Sequence, residues 1–334
     1  MAAGVKGRSV LFLSADLVGS TSYKQKEKGV WQGVFLSFYR QFPQYLSASS
    51  REHDQEGVDA PDFRLWKAVG DELIYEVTVT HEQEVSRAIR IWLLALELCE
   101  TDILQEASLG LKGSAFIATF PGPDSEATIP RNPKTEKSDL GVVTLNDAAL
   151  KPKGGVRSHS RYQFDYFGPS IDTGFRVSSH ASHRYFTMSV EASWALALAA
   201  AGNNTNSGRD DHLHVKDVVF RGNVLLKGVW DGREYPLFAI DRHFDDGVNK
   251  SVAKLVQDPP EAQDIIDVCH ACNSDGNWPC AIYLPASSNV HMQVEPEDAM
   301  ATLRASEQTS AGFEKLTKGA SGGGKDLKAD PPLS

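Results

Sequence analysis

Two aspartates stand beside turn-forming residues and could take part in phosphate chemistry. Asp16 ends the apolar run VLFLSA, and Asp71 lies in the turn of KAVGDELIY. A turn that opens a helix follows Asp16 and contains Gly19, Ser20 and Thr21. Two carboxylates are suitable ligands for Mg²⁺ or Mn²⁺ bridging substrate phosphates, and free N–H groups at a helix start favour a phosphate. Because a single turn aspartate is usually a cap or turn former, the prediction requires both carboxylates to reach one point.

The segments that must position these aspartates follow the order β-α-β-β-α-β. Apolar residues recur with helical spacing in WQGVFLSFYRQFPQYLSA and in EQEVSRAIRIWLLALELCETDILQEA. The predicted strands are VLFLSADL, FRLWKAV, ELIYEVTV and LGLKGSAFIATF. This order predicts an α+β fold of the ferredoxin-like type, with a sheet covered on one face by helices. The first strand and the hairpin are neighbours in that fold, so Asp16 and Asp71 are expected at one sheet edge.

Changes in composition divide the chain into three parts. Residues 1–257 are predicted to form the main domain, interrupted at about 121–162 by a long, loop-rich insertion. Residues 258–316 are predicted to form a small C-terminal appendage, and residues 317–334 a disordered tail. The insertion carries seven Lys or Arg against three Asp or Glu between Arg131 and Arg161. A solvated basic loop is the default interpretation, and a lid near phosphates is the alternative.

The overall charge and hydropathy limit the kinds of partner. A formal net charge of −10 argues against a nucleic-acid partner, which usually requires a basic face. The longest wholly apolar run, Trp194 to Ala201, is too short to span a bilayer. The apolar run before Asp16 is also too short for a signal peptide. We therefore expect a cytoplasmic protein with no membrane partner, and the net charge is compatible with an anionic small-molecule substrate if a metal or a local basic patch neutralises it.

Three of the four cysteines cluster in CHACNSDGNWPC, at Cys269, Cys272 and Cys280. Four cysteines in a chain of this size do not indicate a disulfide framework. The cluster lacks a second well-spaced pair, so a zinc site is the weaker interpretation. Reduced thiols packed beneath the C-terminal appendage are the alternative.

Three motifs together resemble the signature blocks of the class III nucleotidyl cyclases. They are ADLVGST, KAVGDELIY and DYFGPSIDTGFR, and they occur in the family's order over about Arg8 to Asp241. The resemblance implies a class III cyclase catalytic domain with a long insertion and a small C-terminal appendage. It also implies a head-to-tail homodimer with two shared active sites, in which one protomer supplies metal ligands and the other supplies base-recognising residues and an arginine.

The resemblance also implies roles for individual residues. Asp16, Asp71 and the backbone carbonyl of Leu17 match the ligands of two Mg²⁺ or Mn²⁺ ions per site. The remaining matches are Lys67 and Asp165 for base recognition, Arg176 for charge on the phosphates, and Lys227 for the triphosphate. Asp172 stands where the family usually has an asparagine that orients the ribose. A carboxylate accepts hydrogen bonds but does not donate them, so the ribose contacts or the base served are expected to differ.

The identity of the base remains open between several nucleotides. Lys67 and Asp165 can pair with adenine, but also with cytosine or uracil. Trp66, Tyr166 and Phe167 could narrow the base pocket or could be core aromatics. The GPSIDTGFR block, the insertion and the appendage most resemble the bacterial pyrimidine cyclases of Pycsar anti-phage defence.

This subgroup resemblance favours a cyclase that converts UTP, and next CTP, to the 3′,5′-cyclic nucleotide and pyrophosphate. It implies that a separate effector reads the product. The alternatives are an adenylate cyclase and a degenerate cyclase-fold binding module. The module would have no need of the arginine at position 176.

Overall fold

The computed structural model describes residues 6–27, 29–53, 60–134, 140–202, 218–255 and 260–309. The chain divides into two compact units, of which the first comprises residues up to Ser125 together with Tyr166–Glu297. The second comprises Glu126–Asp165 and the chain from Asp298 onward. The predicted tail at 317–334 lies outside the described residues. The domain boundaries at 257 and 316 remain predictions.

The described strands and helices begin and end as follows. The strands are β1 (Arg8–Val18), β2 (Arg64–Val69), β3 (Glu72–Val79), β4 (Gly110–Phe120), β5 (Ser125–Pro130), β6 (Tyr162–Phe167), β7 (Tyr185–Met188), β8 (Val218–Leu225) and β9 (Glu234–Asp241). The helices are α1 (Ser20–Lys26), α2 (Trp31–His53), α3 (Glu82–Cys99), α4 (Val142–Leu150), α5 (Pro169–Ser178), α6 (Val190–Gly202), α7 (Gly247–Ala253), α8 (Ala262–Asn273) and α9, over 301–309. No helix in the described ranges is both long enough and apolar enough to cross a bilayer.

The main sheet has the strand order β2-β3-β1-β4-β7-β9-β8. Strand β1 pairs antiparallel with β3 and with β4, and β2 pairs antiparallel with β3. The first four strands therefore have the neighbours that a ferredoxin-like βαββαβ unit requires. The predicted α+β, ferredoxin-like class is confirmed. Strands β7, β9 and β8 extend the sheet beyond β4.

One face of the sheet carries the larger core. Odd-numbered residues of β1, such as Leu11 and Leu13, are buried in the same apolar cluster as residues of α2 and α3. Helix α2 contributes Phe38 and Phe42, whose spacing places them on one side of the helix. Trp92 of α3 donates a hydrogen bond from its indole nitrogen to the carbonyl of Ser14, at 3.1 Å. This contact ties the helix layer directly to the strand that carries Asp16.

The opposite face of the sheet is apolar at one end and polar at the other. Even-numbered residues at the apolar end form a second buried cluster with Ile171 of α5. Its members on the sheet are Val10, Phe12, Ile74, Phe116, Ala118 and Phe120. Farther along the same strands, the even-numbered positions are taken by Ser14, Asp16, Glu72, Lys112 and Ser114. Side chains alternate between faces along a strand, so this one face has an apolar region at one end and a charged region at the other.

The second unit shows ordered structure inside the insertion that the sequence predicted to be loop-rich. Strands β5 and β6 form a two-stranded sheet, and α4 lies between them in the chain. Glu307 of α9 accepts hydrogen bonds from the backbone N–H groups of Val143 and Thr144, at 3.0 and 2.9 Å. Arg304 of α9 donates to Asp147 of α4. The prediction missed α4 because its N-terminal cap comes from a residue about 160 positions away in the chain.

Residues 260–297 pack within the first unit. The Thr119 hydroxyl donates to the Ala281 carbonyl at 2.8 Å, and the Tyr283 N–H donates to the Ser9 hydroxyl at 2.9 Å. The clustered cysteines, Cys269, Cys272 and Cys280, are all buried free thiols. Burial raises the pKa of each, to about 11 for Cys272. The three thiols therefore lie in the protein interior, and their interpretation as reduced thiols rather than a zinc site stays a prediction.

A buried carboxyl group links α6 to this C-terminal segment. Glu191 is 1% exposed and accepts a hydrogen bond from the indole nitrogen of Trp278, at 2.9 Å. Burial raises its pKa to about 7. Because the folded chain holds this proton more tightly than the unfolded chain, the stabilising contribution is present at low pH. It is lost as the pH rises from about 4.5 to about 7.

We predict that Glu191→Gln will flatten the pH dependence of stability. From pH 5 to pH 8, the unfolding free energy of the original protein should fall by about 3 kcal/mol more than that of the variant, since glutamine does not ionise. Urea unfolding at several pH values measures this difference. Glu97→Gln, at an exposed position of α3, should keep the original pH dependence. If the unfolding free energy of Glu191→Gln and of the original protein changed equally with pH, the raised pKa of Glu191 would be contradicted.

Candidate functional site

The two aspartates predicted to act together lie at the same edge of the main sheet. Asp16 of β1 is directly opposite Glu72 of β3, and this is the last pair in the β1–β3 register. Asp71 immediately precedes Glu72 in the hairpin turn. Strand β1 continues to Val18, so Leu17 extends past the end of the pairing with β3. The structure thus brings together Asp16, the Leu17 backbone and Asp71.

Two lysines that the sequence analysis did not single out neutralise these aspartates. The Lys112 ammonium lies 3.0 Å from Oδ2 of Asp16, and the Lys24 ammonium lies 3.7 Å from Oδ1 of Asp71. Lys24 also lies over the ring of Phe35, 4.6 Å from its centroid. The sequence does contain a signal for Lys112, because it is the one charged residue in the strand segment LKGSAFIATF. Only the strand register shows that it faces Asp16.

The concentration of negative charge changes the ionisation of neighbouring groups. Burial, and next the charge of Asp16, raises the pKa of Glu72, while a hydrogen bond from Ser14 and the charge of Lys112 oppose the rise. Burial, and next the charge of Asp71, raises the pKa of Tyr39. The Tyr39 hydroxyl donates to the carbonyl of Gly70 at 2.5 Å, which holds the hairpin turn against α2. Both groups are therefore affected first by burial and second by the charge of a neighbouring aspartate.

The predicted phosphate-binding turn begins a short helix. Gly19 has a φ of 82°, a left-handed conformation that glycine adopts without strain. Helix α1 starts at Ser20, whose side chain is buried, and Thr21 is exposed. The helix has only seven residues, so the assignment of phosphate contacts to these three residues stays a prediction.

Helix α5 carries Asp172 and Arg176, and two contacts hold it against β4. The buried carboxylate of Asp124 accepts hydrogen bonds from the N–H groups of Ser170 and Ile171, at 2.9 and 3.3 Å. These bonds satisfy donors in the first turn of the helix. A Cβ placed on Gly174 would overlap the ring of Phe116. The glycine in DTGFR therefore allows the helix backbone to lie directly on the sheet.

Arg176 is held by two backbone carbonyls. Its Nε donates to the Lys227 carbonyl at 2.5 Å, and its Nη1 donates to the Asp172 carbonyl at 2.8 Å. The structure therefore brings together Arg176, Lys227 and Asp172. The resemblance assigned the first two to the phosphates and the third to the ribose. Lys227 lies in the loop after β8, and the side chains of Lys227 and Asp172 are exposed.

Lys67, which the resemblance assigned to base recognition, lies against aromatic side chains on the same sheet face as α5. The Lys67 ammonium is 3.9 Å from the centroid of the Trp66 ring and 5.9 Å from that of Phe175. The Trp66 and Tyr166 rings lie 5.3 Å apart and pack on the second apolar cluster. Asp165 belongs to the second unit, and its covalent neighbour Tyr166 belongs to the first. Phe167 is about half exposed, so it is not a core aromatic.

The residues at the sheet edge fit a divalent cation of the kind that shares its ligands with a substrate. In the part of the chain that the structure describes, no three His, Cys, Asp or Glu side chains form a metal site. Mg²⁺ commonly takes only one or two protein carboxylates, together with substrate phosphates and waters. Asp16 and Asp71 supply two such carboxylates, and each already faces an ammonium group. The donor set is thus consistent with Mg²⁺ or Mn²⁺.

We predict that Gly174→Ala will destabilise the protein and displace Arg176, because α5 must move away from Phe116. Overpacking of this kind costs about 1–3 kcal/mol of unfolding free energy, which urea unfolding can measure. Gly33→Ala is a matched control, since Gly33 lies in α2 with open space around it. That control should be neutral or stabilising by up to about 1 kcal/mol. Equal stability of the two variants would show that the close approach of α5 is unimportant.

Comparison with known proteins gives similarity only at the level of solved structures. No protein-family model and no curated protein sequence matches this chain. The guanylyl cyclase Cya2 is 15% identical with a TM-score of 0.42, over 71% of this chain and 94% of that chain. The adenylyl cyclase CyaB from P. aeruginosa is 12% identical with a TM-score of 0.42, and the match covers 71% of this chain and 96% of that chain.

The guanylate cyclase domain of RhGC from Catenaria anguillulae, solved in complex with GTP, is 11% identical to this chain. Its TM-score is 0.41, and the match covers 71% of this chain and all of that domain (100%). At these identities and TM-scores, the three proteins carry no argument about what this chain binds or converts.

Proposed function

We propose that this protein is a nucleotide cyclase, which converts a nucleoside triphosphate to the 3′,5′-cyclic nucleotide and pyrophosphate. The observation that carries the proposal is the arrangement of groups on one sheet face. Asp16 and Asp71 lie at the charged end, the Lys67 ammonium lies against the rings of Trp66 and Phe175, and Arg176 is held by the carbonyls of Lys227 and Asp172. In the strand register, Lys67 lies opposite Ile74, which lies opposite Ser14, and Ser14 is two residues, or about 7 Å along β1, from Asp16. The chain therefore carries an anionic group suited to metal and a separate cationic group suited to a nucleotide.

The anionic group would hold two Mg²⁺ or Mn²⁺ ions. Asp16, Asp71 and the backbone carbonyl of Leu17 would be their protein ligands, and substrate phosphates would complete the coordination. Such ions lower the pKa of the attacking 3′-hydroxyl and neutralise the pyrophosphate leaving group. The protein residues fix these ligands through the β1–β3 register and the turn that Tyr39 holds.

The cationic group would bind and orient the triphosphate and the base. Arg176 presents a planar guanidinium where negative charge develops on the phosphates, and such a donor is most effective when it is already oriented. Its two bonds to backbone carbonyls provide that orientation. Lys227 would add a second positive charge from the adjacent loop, and Gly19, Ser20 and Thr21 would contact phosphate at the start of α1. Asp172 would accept a hydrogen bond from a ribose hydroxyl.

The proposed substrate is a pyrimidine nucleotide, with UTP favoured and CTP next. Lys67 and Asp165 would recognise the base edge. The Trp66 ring lies directly beside the Lys67 ammonium, so it would form a wall that a smaller ring fits and a purine does not. The subgroup resemblance extends the proposal to a second messenger that a separate effector reads in bacterial antiviral defence.

We predict that the purified protein with Mn²⁺ will convert UTP, and next CTP, faster than ATP and GTP at equal concentration. Chromatography of the cyclic products measures the four rates. Asp16→Asn and Asp71→Asn should each lower the rate at least about a hundredfold, since metal stabilisation of developing charge is worth several kcal/mol. Asp245→Asn, which alters an exposed carboxylate paired with Lys250, should retain the original rate.

The outcomes of this assay separate the alternatives. If ATP is the best substrate, the protein is an adenylate cyclase and the pyrimidine proposal fails. If none of the four nucleotides is converted while nucleotide still binds, the protein is a binding module. Full activity of Asp16→Asn would remove the metal assignment.

We predict that the active unit is a homodimer with composite sites, because each chain carries the metal-binding and nucleotide-binding groups at separate points of the sheet face. Asp71→Ala and Arg176→Ala chains should each be inactive alone. In a mixture, one of the two sites in a heterodimer would combine intact groups, so about a quarter of the original activity should return if the subunits exchange at random. No recovery in a sample shown to contain heterodimers would contradict shared sites.

A further inference from the structure

Asp16 is the central member of a row of charged residues that crosses three adjacent strands. In the register of the sheet, it lies opposite Glu72 on β3 and opposite Lys112 on β4. All three positions are on the sheet face that carries the proposed site. The Lys112 ammonium is 3.0 Å from Oδ2 of Asp16, so a lone pair that a metal ion would use is already facing a positive charge.

The sheet edge balances three carboxylates with two ammonium groups. Asp16, Asp71 and Glu72 are next to one another in the register or in the chain, and Lys112 and Lys24 are their positive neighbours. The side chain of Lys112 is 34% exposed and that of Asp16 is 25% exposed. The pair is therefore accessible to ions from solvent, and the long lysine side chain has room to move.

We propose that Lys112 is a built-in counter-ion that occupies Asp16 until a divalent cation displaces it. This inference rests on the proposed function, since it takes Asp16 as a metal ligand. After displacement, the freed ammonium would stay at this sheet edge, where it would supply a positive charge for the oxygens of a bound triphosphate. In the absence of substrate, Lys112 thereby keeps the Asp16 carboxylate paired with a positive charge.

The charges involved explain why the two states exclude each other. A divalent cation approaches a carboxylate oxygen to about 2.1–2.6 Å, and an ammonium at 3.0 Å from the same oxygen would repel it. Lysine carries its charge on a flexible four-carbon stem, so it can leave without movement of β4. Asp16 cannot leave in the same way, because it is short and its strand is paired on both sides.

The competition predicts a gain of metal affinity when Lys112 is removed. In Lys112→Met, the Kd for Mn²⁺ in the absence of nucleotide should fall about two- to fivefold, the range that corresponds to a partly exposed ion pair. Electron paramagnetic resonance of free Mn²⁺ measures this Kd directly and does not depend on turnover. A lysine that only supported the fold would give the opposite result, namely weaker binding or no change.

Two control variants isolate the position of the charge. Lys151→Met removes one positive charge from an exposed position in the second unit and should leave the Kd for Mn²⁺ unchanged. Lys112→Arg keeps the charge next to Asp16 and should bind Mn²⁺ no more tightly than the original protein, since a guanidinium also pairs with the carboxylate. Should Lys112→Met fail to fold, as judged by circular dichroism, Lys112→Gln is measured in its place with the same expected gain.

The results also separate this inference from the proposed function. If Asp16→Asn abolishes the tight binding of Mn²⁺ and Lys112→Met does not strengthen it, Asp16 remains a metal ligand and the counter-ion proposal is overturned. If Asp16→Asn binds Mn²⁺ as well as the original protein, the metal assignment itself fails, and the counter-ion proposal fails with it.

Discussion

The antiparallel pairing of β1 with β3 on one side and β4 on the other is the constraint on which the rest of the structure depends. This register places Asp16 on the open sheet face, opposite Glu72. A slip by one residue would turn Asp16 into the core and Leu17 out of it. The burial of Leu17 and the hydrogen bond from Trp92 to the backbone of β1 both oppose that slip. The hydrophobic core thus determines where the carboxylate lies.

The open face of the sheet serves two purposes because its residue types change along the strands. At one end, α5 packs on aromatic and aliphatic side chains, and Gly174 lets the helix lie directly on Phe116. The buried carboxylate of Asp124 fixes the first turn of that helix. These contacts set the position of Arg176, since a side chain near the end of a short helix moves with it. Stability of the apolar end and orientation of the arginine therefore come from the same contacts.

The charged end of the face is less favourable for stability than the apolar end. Burial, and next the charge of neighbouring Asp16, raises the pKa of Glu72. Lys24 and Lys112 reduce the repulsion between the carboxylates without removing it, because each contributes one charge and both are partly exposed. An edge with residual negative charge retains an attraction for divalent cations. This is the expected compromise between a stable fold and the metal and triphosphate site that we propose.

The sequence alone determined the element order, the ferredoxin-like class and the placement of Asp16 and Asp71 at one sheet edge. It could do so because hydrophobic periodicity and turn residues are local signals. Only the tertiary structure decided that Lys112 faces Asp16, that Asp124 caps α5, and that Glu307 caps a helix within the insertion. Each of these contacts joins residues far apart in the chain or on different strands. The strand register and the helix packing create them, and neither can be deduced from the periodicity of one segment.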